Sequence, residues 1–385
     1  MTSLLRRPLA STLALAFALP LLTGVAQAAP LQVRSLTLKP GPDAGEPNAV
    51  ASGWADGSVK MPFIDGTGPV ATRINDALFL AAMGTPAPVK PGATFTPPAR
   101  DLPEGTASQD FEVNRNDARL LVITLNAEGC GAYCEGYDTV YNFDARNGWA
   151  VTLHDLLQPG ALNPLGQRLQ KEVRKRYADQ LKTLRTELAA ARKRKPKAPA
   201  DEINDLQERI ELNEGCLADE SGTRSAAQTV RYARLNLTGP GLGLHLGRCS
   251  NHALRALDDV AEINITLPPA DVRPLLNAYG RALVLGEGEA GPPAQPFGQV
   301  LHGKIGPAAV TLRLDRPLSG GVSGHYFYDR FRQLILLSGT LEGDTLTLTE
   351  TVDDKTATLR LKVQGTRLQG EWQGGERRLP VSLSW

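Results

Sequence analysis

The stretch Tyr137–Leu153, YDTVYNFDARNGWAVTL, reads as two β-strands joined by a tight turn. Successive side chains of a strand point to opposite faces, so alternating aromatic and polar residues predict a half-buried strand. One face of the first strand then carries Tyr137, Thr139, Tyr141 and Phe143. Asn147-Gly148 supplies the turn, because both residues tolerate the positive φ of a tight hairpin. The stretch therefore predicts an antiparallel meander.

Apolar segments on both sides of this hairpin extend the predicted sheet. Leu120–Leu125 (LLVITL) and the shorter Phe111–Val113 are rich in β-branched and apolar residues, as strands are. Val59–Ile64 reads as a further strand, and apolar residues of Val70–Leu80 recur on one face of a helix. Three later segments also read as strands: Thr229–Leu237, Leu242–Leu246 and Glu262–Leu267.

The longest helical pattern follows the hairpin. Apolar residues recur every three or four positions from Leu165 to Leu188, which gives a helix one continuous apolar stripe. The basic run Arg192–Lys197 (RKRKPK) contains a proline that ends this helix, and a second apolar stripe follows over residues 203–210. We predict an antiparallel helical hairpin over about residues 163–213. Its basic tip reads as a solvated end in preference to a contact for anionic envelope polymers or lipid headgroups.

The sequence pattern changes after residue 285. Gly286–Pro296 (GEGEAGPPAQP) suits a linker, and we place the domain boundary there. From Phe297 to Trp385, strand patterns recur at short intervals and are separated by glycine turns such as Gly320-Gly321. This pattern predicts an all-β meander, either a small barrel or a sandwich. The predicted fold class is therefore α+β over residues 29–285, followed by an all-β domain over residues 297–385.

Residues 1–28 have the three-part form of a secretory signal peptide. The charged pair Arg6-Arg7 precedes an apolar run over residues 13–22, and Ala26-Gln27-Ala28 is a small-x-small cleavage signal. The apolar run is too short for a good membrane span. We predict cleavage after Ala28 and a periplasmic or secreted location.

Charge and composition narrow the classes of partner. The chain has 42 Lys and Arg against 41 Asp and Glu, so the formal net charge is +1. This balance gives no global attraction to nucleic acid, and we expect no nucleic-acid partner. After residue 28 no apolar run is long enough for a transmembrane helix, so we expect no membrane span in the mature chain.

Four cysteines, Cys130, Cys134, Cys216 and Cys249, are most simply read as two disulfides in an oxidising compartment. Of the three connectivities we prefer sequential pairing, 130–134 and 216–249, because both loops then stay short; crossed pairing remains open. A zinc site would combine the later two cysteines with His245 and His252. No paired CxxC or HxxxH module supports it, and oxidation competes for the thiols. The four-residue spacing of the first pair is also wrong for a thioredoxin-like C-x-x-C motif.

The run Tyr141–Leu157, YNFDARNGWAVTLHDLL, resembles the extracellular domain shared by RsiV-type anti-sigma factors and PdaC-type peptidoglycan deacetylases. That domain shows an aromatic-Asn-aromatic-Asp segment, a turn with glycine, and a Thr-Leu-x-Asp-Leu segment. The matching residues are Tyr141, Asn142, Phe143, Asp144, Gly148, Thr152, Leu153, Asp155, Leu156 and Leu157. Gly131-Ala132-Tyr133 also resembles a loop of the family. The resemblance covers about residues 59–285, with the helical hairpin as an insertion.

This resemblance implies an extracytoplasmic α+β module that binds another molecule, which is lysozyme for anti-sigma factors of the RsiV type. The signalling role in those proteins needs a transmembrane helix, and the deacetylase activity needs a separate metal-dependent domain with a Thr-Phe-Asp-Asp signature. We find neither feature in the sequence and expect neither role. The C-terminal part resembles a Gly-rich β module of secreted bacterial proteins. The residues of that pattern are Gly324, Tyr326, Tyr328, Leu337, Gly339, Gly370 and Trp372.

Motifs for catalysis are weak. Gly286-x-Gly288-x-x-Gly291 formally matches a dinucleotide fingerprint, but Pro292-Pro293 follow it where a helix should begin. The five histidines are scattered and include no HExxH motif. We therefore expect no catalytic residues, no metal and no cofactor, and we favour a non-enzymatic chain.

The preferred hypothesis is an exported binding protein that recognises a cell-envelope component, such as a peptidoglycan fragment, or an envelope-acting enzyme such as lysozyme. The alternatives are an envelope hydrolase whose site forms only in three dimensions, and a purely structural envelope protein. The candidate binding surface consists of Tyr133, Tyr137, His325, Tyr326 and Tyr328. For His325, Tyr326 and Tyr328, alternating strand residues in a barrel wall are the preferred explanation, and burial would equally explain Tyr133 and Tyr137.

Overall fold

The computed structural model describes residues 29–39, 59–89, 91–92, 94–95, 106–130, 134–219, 225–231, 233–317 and 320–385. The predicted signal peptide and Tyr133 of the candidate binding surface lie outside these ranges. Within them, no helix is long and apolar enough to cross a membrane. Helices and antiparallel sheets come first and a closed β-barrel follows, so the predicted fold class is confirmed, as a barrel and not a sandwich.

A small sheet and one helix begin the described chain. Strands β1 (Val33–Leu38) and β2 (Lys60–Ile64) are antiparallel, and β3 (Thr94–Phe95) pairs with β1 in parallel. Helix α1 (Pro69–Met83) has proline in its first turn and ends at Gly84, whose φ of 66° suits a residue without a side chain. The apolar face of α1 packs with this sheet into one hydrophobic core.

A four-stranded antiparallel sheet shares that core. Its strands are, in spatial order, β4 (Thr106–Asn116), β5 (Leu120–Cys130), β6 (Cys134–Asp144) and β7 (Trp149–Ala150). Strand β5 is buried on both faces, and its alternate residues enter different cores. Leu121 and Ile123 pack with α1, whereas Leu120 and Val122 belong to a second, larger core formed with the following helices. Because its side chains serve both cores, β5 joins the two layers of the α+β part.

Two long antiparallel helices follow the short helix α2 (Leu153–Leu156). They are α3 (Leu162–Lys193) and α4 (Ala200–Ala218), so the second helix continues past the predicted end near residue 213. The first half of α3 packs into the larger core, up to Tyr177. Farther along, Leu184, Leu188 and Ala191 pack with Leu206 of α4 in a separate small core. The outer half of the hairpin is therefore stabilised by its own side chains.

The segment after the hairpin corrects one prediction. Residues expected to begin a strand at Thr229 form helix α5 (Ala226–Arg231). Gln228 is the reason: its backbone N–H donates to Ser225 Oγ, and its side-chain oxygen accepts from the Ser225 backbone N–H. This reciprocal capping starts a helix despite the β-branched residues that follow.

The last sheet of the α+β part has the order β10-β9-β8. Its antiparallel strands are β8 (Arg234–Asn236), β9 (Leu242–Leu246) and β10 (Ile263–Leu267). The remaining turns of helix are His252–Leu257, Pro269–Val272, Arg273–Leu275, Ala278–Gly280 and the π-helical Arg281–Leu285. The inward side chains of this sheet complete the larger core.

Eight antiparallel strands form the closed barrel, and each pairs with its neighbour in sequence while the last returns to the first. They are β11 (Val300–Ile305), β12 (Ala308–Asp315), β13 (Val322–Tyr328), β14 (Ile335–Glu342), β15 (Thr345–Val352), β16 (Lys355–Gln364), β17 (Arg367–Gly374) and β18 (Arg377–Ser384). Alternate residues, mostly leucine, fill the interior. Glycines allow neighbouring strands to approach closely: a Cβ at Gly339 would lie 1.9 Å from the Thr347 carbonyl oxygen.

The barrel packs directly on the α+β part. Val300 contacts the core around α1, and Trp385 contacts both the larger core and the barrel core. Polar contacts reinforce this junction: Gln299 Nε2 donates to the Ala150 carbonyl at 3.0 Å, and Arg332 donates to Thr85 Oγ1 at 3.0 Å. The two parts are thus joined through shared apolar side chains as well as through the linker.

Candidate functional site

One end of the barrel opens into a cavity of about 540 Å³, which we call the barrel mouth. Its lining comes from the β15–β16 hairpin and from the end of β17. The lining residues are Glu350, Val352, Asp353, Lys355, Thr356, Ala357, Trp372, Gly374 and Gly375. A concave, largely apolar site with a few fixed polar groups is the usual form of a small-ligand site.

Glu350 is the charged group at the base of the mouth and is only 6% exposed. The Tyr326 hydroxyl donates to its Oε2 at 2.6 Å, and Trp372 Nε1 donates to its Oε1 at 3.0 Å. These three side chains come from alternate strands, β15, β13 and β17, and meet inside the barrel. Two neutral donors therefore fix the position of the carboxylate.

Tyr326 is held in its protonated form. Burial, together with the hydrogen bond to Glu350, raises the pKa of the Tyr326 hydroxyl well above its ordinary value. A protonated hydroxyl can keep donating to Glu350 across the whole physiological pH range. The Tyr328 ring meets the Tyr326 ring edge-on at 5.6 Å and adds a second aromatic side chain to this end of the barrel.

Trp372 forms the aromatic wall of the mouth. Its six-membered ring lies over the backbone of Gly374, where an added Cβ would come within 2.4 Å of the ring. The missing side chain at Gly374 thus leaves room for the indole, while the hydrogen bond to Glu350 fixes its nitrogen. The ring orientation is determined at both ends.

The predicted binding surface is only partly brought together. Tyr326 and Tyr328 meet inside the barrel. His325, one position away on β13, lies on the opposite face of the strand, away from the barrel interior, and is half-buried there. Burial, and then the charge of Arg313, lower the pKa of His325. Tyr137 lies on β6 of the α+β part and is 49% exposed.

Glu350 and Trp372 were missed as site residues by sequence reasoning. One signal was available for Glu350, because Leu346, Leu348 and Glu350 occupy successive inward positions of β15. A charged residue in an otherwise apolar register is a marker of a functional position. Trp372 was noted only as part of a glycine-rich pattern.

A second cavity, about 370 Å³, lies between the α+β part and the other end of the barrel. Asp155 is fully buried beside it and accepts hydrogen bonds from the Thr152 backbone, the Thr152 hydroxyl and Gln295 Nε2, at 2.7, 2.8 and 2.6 Å. Burial raises the pKa of Asp155 to about 6. Its carboxylate oxygens are occupied by structural donors, so this group fastens the linker to α2.

The cysteines form the preferred pairs, Cys130–Cys134 and Cys216–Cys249. The Cys216–Cys249 disulfide removes the thiols that a zinc site would have used. His245 is hydrogen-bonded to Asn264 and His252 to Glu135. Over the described ranges, no group of three metal-ligating side chains comes together.

The basic hairpin tip, residues 192–197, is exposed. Arg194 donates twice to the Glu202 carboxylate, at 3.1 and 2.6 Å. One of the positive charges of the tip is therefore paired within the hairpin. Exposed pairs of this kind contribute little to stability.

Comparisons of the chain with protein-family models, curated proteins and solved structures find no match. The resemblance to the RsiV and PdaC domain therefore stays a prediction.

Proposed function

We propose that this chain is an exported, non-catalytic binding protein of the cell envelope that holds a peptidoglycan fragment in the barrel mouth. The observation that carries the proposal is the buried Glu350 carboxylate, fixed by Tyr326 and Trp372 at the base of an open cavity. Export is supported by the signal-like residues 1–28 and by the two disulfides, which are stable in oxidising compartments.

The chemistry of the mouth suits such a ligand. Sugar rings present C–H faces that pack on aromatic rings, and Trp372 offers an indole in the cavity wall. Hydroxyl, amide and amino groups donate hydrogen bonds, which the Glu350 carboxylate can accept. The volume lies within the range of about 300–1,000 Å³ that small-molecule sites occupy.

Calorimetric titration with soluble muropeptides from a muramidase digest tests the proposal. We expect binding to the wild-type chain, loss of at least about tenfold in affinity for Trp372→Ala, and no change for Glu371→Gln. Glu371 is the matched control because it neighbours Trp372 on β17 but is exposed and paired with Arg378. No heat with any muropeptide would overturn the proposal, and so would binding that Trp372→Ala leaves unchanged.

Lysozyme serves as a second titrant. An intact enzyme is too large for a cavity of about 540 Å³, so its binding would have to use an outer surface. Lysozyme binding without muropeptide binding would replace the proposed ligand. Cleavage of a muropeptide during the titration would favour a hydrolase instead.

A further inference from the structure

We infer that the barrel mouth selects ligands that carry a free ammonium group, which Glu350 receives against the Trp372 ring. This inference rests on the proposed function, since it names the chemical group that the same site recognises. It follows from the charge of Glu350, from the aromatic wall and from the charges at the rim.

No cationic partner of the Glu350 carboxylate lies among the residues that the structure describes. In the part of the chain that the structure describes, no Lys, Arg or His forms an ion pair with it, and its two donors are the neutral Tyr326 and Trp372 groups. Burying a carboxylate without a counter-charge is costly, and hydrogen bonds from neutral groups offset only part of that cost. A cation entering the cavity would lower the free energy of this carboxylate.

Glu350 also has acceptor capacity left. A carboxylate offers about four lone-pair positions, and the two donors use two of them. Since Glu350 lines the cavity, the remaining positions are available to a donor inside it. A primary ammonium group has three N–H donors and a positive charge, so it matches both requirements.

The aromatic side chains favour the same charge. The face of an indole attracts cations, and the attraction increases when the cation is removed from water. Trp372 lines the mouth, and its nitrogen already points to Glu350. Because the indole N–H lies in the ring plane, this hydrogen bond places Glu350 at the ring edge, and an ammonium group on a free lone pair of Glu350 would reach the ring face from above that plane.

The rim adds a further acidic group. Asp353 lines the cavity at the β15–β16 turn and is followed by Asp354; both adopt positive φ, of 48° and 61°, as a tight hairpin turn requires. Among the lining residues that the structure describes, Lys355 is the one basic residue, against Glu350 and Asp353. The lining thus carries more acidic than basic charge, which draws cations toward the opening.

The ligand pair that tests this inference differs only at one nitrogen. One probe is a disaccharide muropeptide with lysine in its peptide stem and a free ε-amino group; the other is the same molecule acetylated at that nitrogen. Cadaverine serves as a small diamine probe. Calorimetry at neutral pH measures each with wild type, Glu350→Gln, Trp372→Phe and the control Glu371→Gln.

We expect acetylation to weaken binding by at least about tenfold, which corresponds to removing one charge-assisted contact. Glu350→Gln should abolish the difference between the two probes, and Glu371→Gln should preserve it. If Glu350→Gln does not fold, the affinities of the wild-type chain for the free and acetylated probes still decide the inference. Trp372→Phe keeps an aromatic ring but loses the indole nitrogen, so it tests whether the ring alone preserves the preference for the free amine.

The outcomes separate the inference from the proposed function. Equal affinity for the free and acetylated muropeptides overturns the inference and leaves the proposed function standing. Cadaverine binding that depends on Glu350, with no muropeptide binding, supports the ammonium site and overturns the proposed ligand. No binding of any of the three probes overturns both.

Discussion

The Asp155 carboxyl group connects helix α2 to the linker between the two parts. Asp155 is fully buried. It caps the N-terminus of α2 by accepting hydrogen bonds from Thr152, and it binds the linker by accepting one from Gln295. Its backbone carbonyl also accepts from Asn277 Nδ2 at 2.8 Å. Three segments distant in sequence therefore meet at one residue.

The raised pKa of Asp155, about 6 against 3.8 for the free group, makes stability depend on pH. Between these two values the folded chain binds a proton that the unfolded chain releases, so stability falls as the pH rises toward 6. The slope approaches about 1.4 kcal/mol per pH unit. We expect the unfolding free energy of wild type relative to Asp155→Asn to increase from pH 7 to pH 4.

Urea unfolding at several pH values measures this difference. Asp201→Asn is the control, because Asp201 is exposed in the first turn of α4. A wild-type advantage that stays constant from pH 7 to pH 4 would contradict the assignment.

At the scale of single elements, the barrel wall depends on its glycines. Gly303, Gly324, Gly339 and Gly370 all face backbone atoms of a neighbouring strand, at distances that leave no room for a side chain. These positions let the strands coil tightly enough to close with a leucine-filled interior.

Gly339→Ala should destabilise the protein by about 3 kcal/mol, because its Cβ would overlap the Thr347 carbonyl and force the two strands apart. Gly247→Ala is the matched control, since nothing lies within 4 Å of a Cβ built there. Chemical denaturation of both variants gives the comparison. Equal stability of the two would show that the wall adjusts at no cost.

The two disulfides should contribute unequally to the stability of the protein. Cys216 and Cys249 are 33 residues apart, whereas Cys130 and Cys134 are four apart, and the chain-entropy model assigns more stabilisation to the longer loop. We expect the double Ala variant of the longer loop to lose about 4 kcal/mol, and that of the shorter loop about 2 kcal/mol. Thermal unfolding of the two variants measures which loses more stability, and a larger loss for the shorter loop would contradict the prediction.

Mass spectrometry of unreduced protein should find no free thiol.

Much of the element pattern was predictable from sequence because local alternation decides it. Tyr137–Leu153 shows both strands and their turn, and the barrel strands show inward leucines at every second position. Helix α5 was missed because its capping by Ser225 and Gln228 outweighs the β-branched residues Thr229 and Val230.

The candidate site was less predictable, since it depends on closure of the barrel. Glu350, Tyr326 and Trp372 come from alternate strands, and no spacing along the chain relates them. Their meeting follows from the number of strands and the register of the pairing, which local patterns do not determine. Tyr326 and Tyr328 could be chosen as aromatic neighbours, and Glu350 could be noted as a charged residue in the apolar register of β15, but their meeting with Trp372 could not be predicted.

At the scale of the whole molecule, the α+β part and the barrel are joined by shared side chains. Trp385 packs against both the larger core and the barrel core, and Val300 extends the barrel into the core around α1. Parts that share apolar contacts stabilise each other, so they are expected to unfold together.

Scanning calorimetry should accordingly show one cooperative transition for wild type. Trp385→Ala should lower and broaden this transition, because one of the contacts that the two parts share is lost. Leu336→Ala is the control, since Leu336 is an exposed side chain on the barrel wall. Two separate transitions in wild type would contradict the joined arrangement.

The pairing of β11 with β18 also imposes an order in time. A chain that leaves the ribosome N-terminus first presents Val300–Ile305 long before Arg377–Ser384. Every other pair in the barrel joins neighbouring strands, so those hairpins can form as they arrive. The ring closes last, through the contact of greatest sequence separation, and such contacts form slowly. Until then β11 keeps an unpaired edge, which makes the nearly complete chain the species most exposed to aggregation.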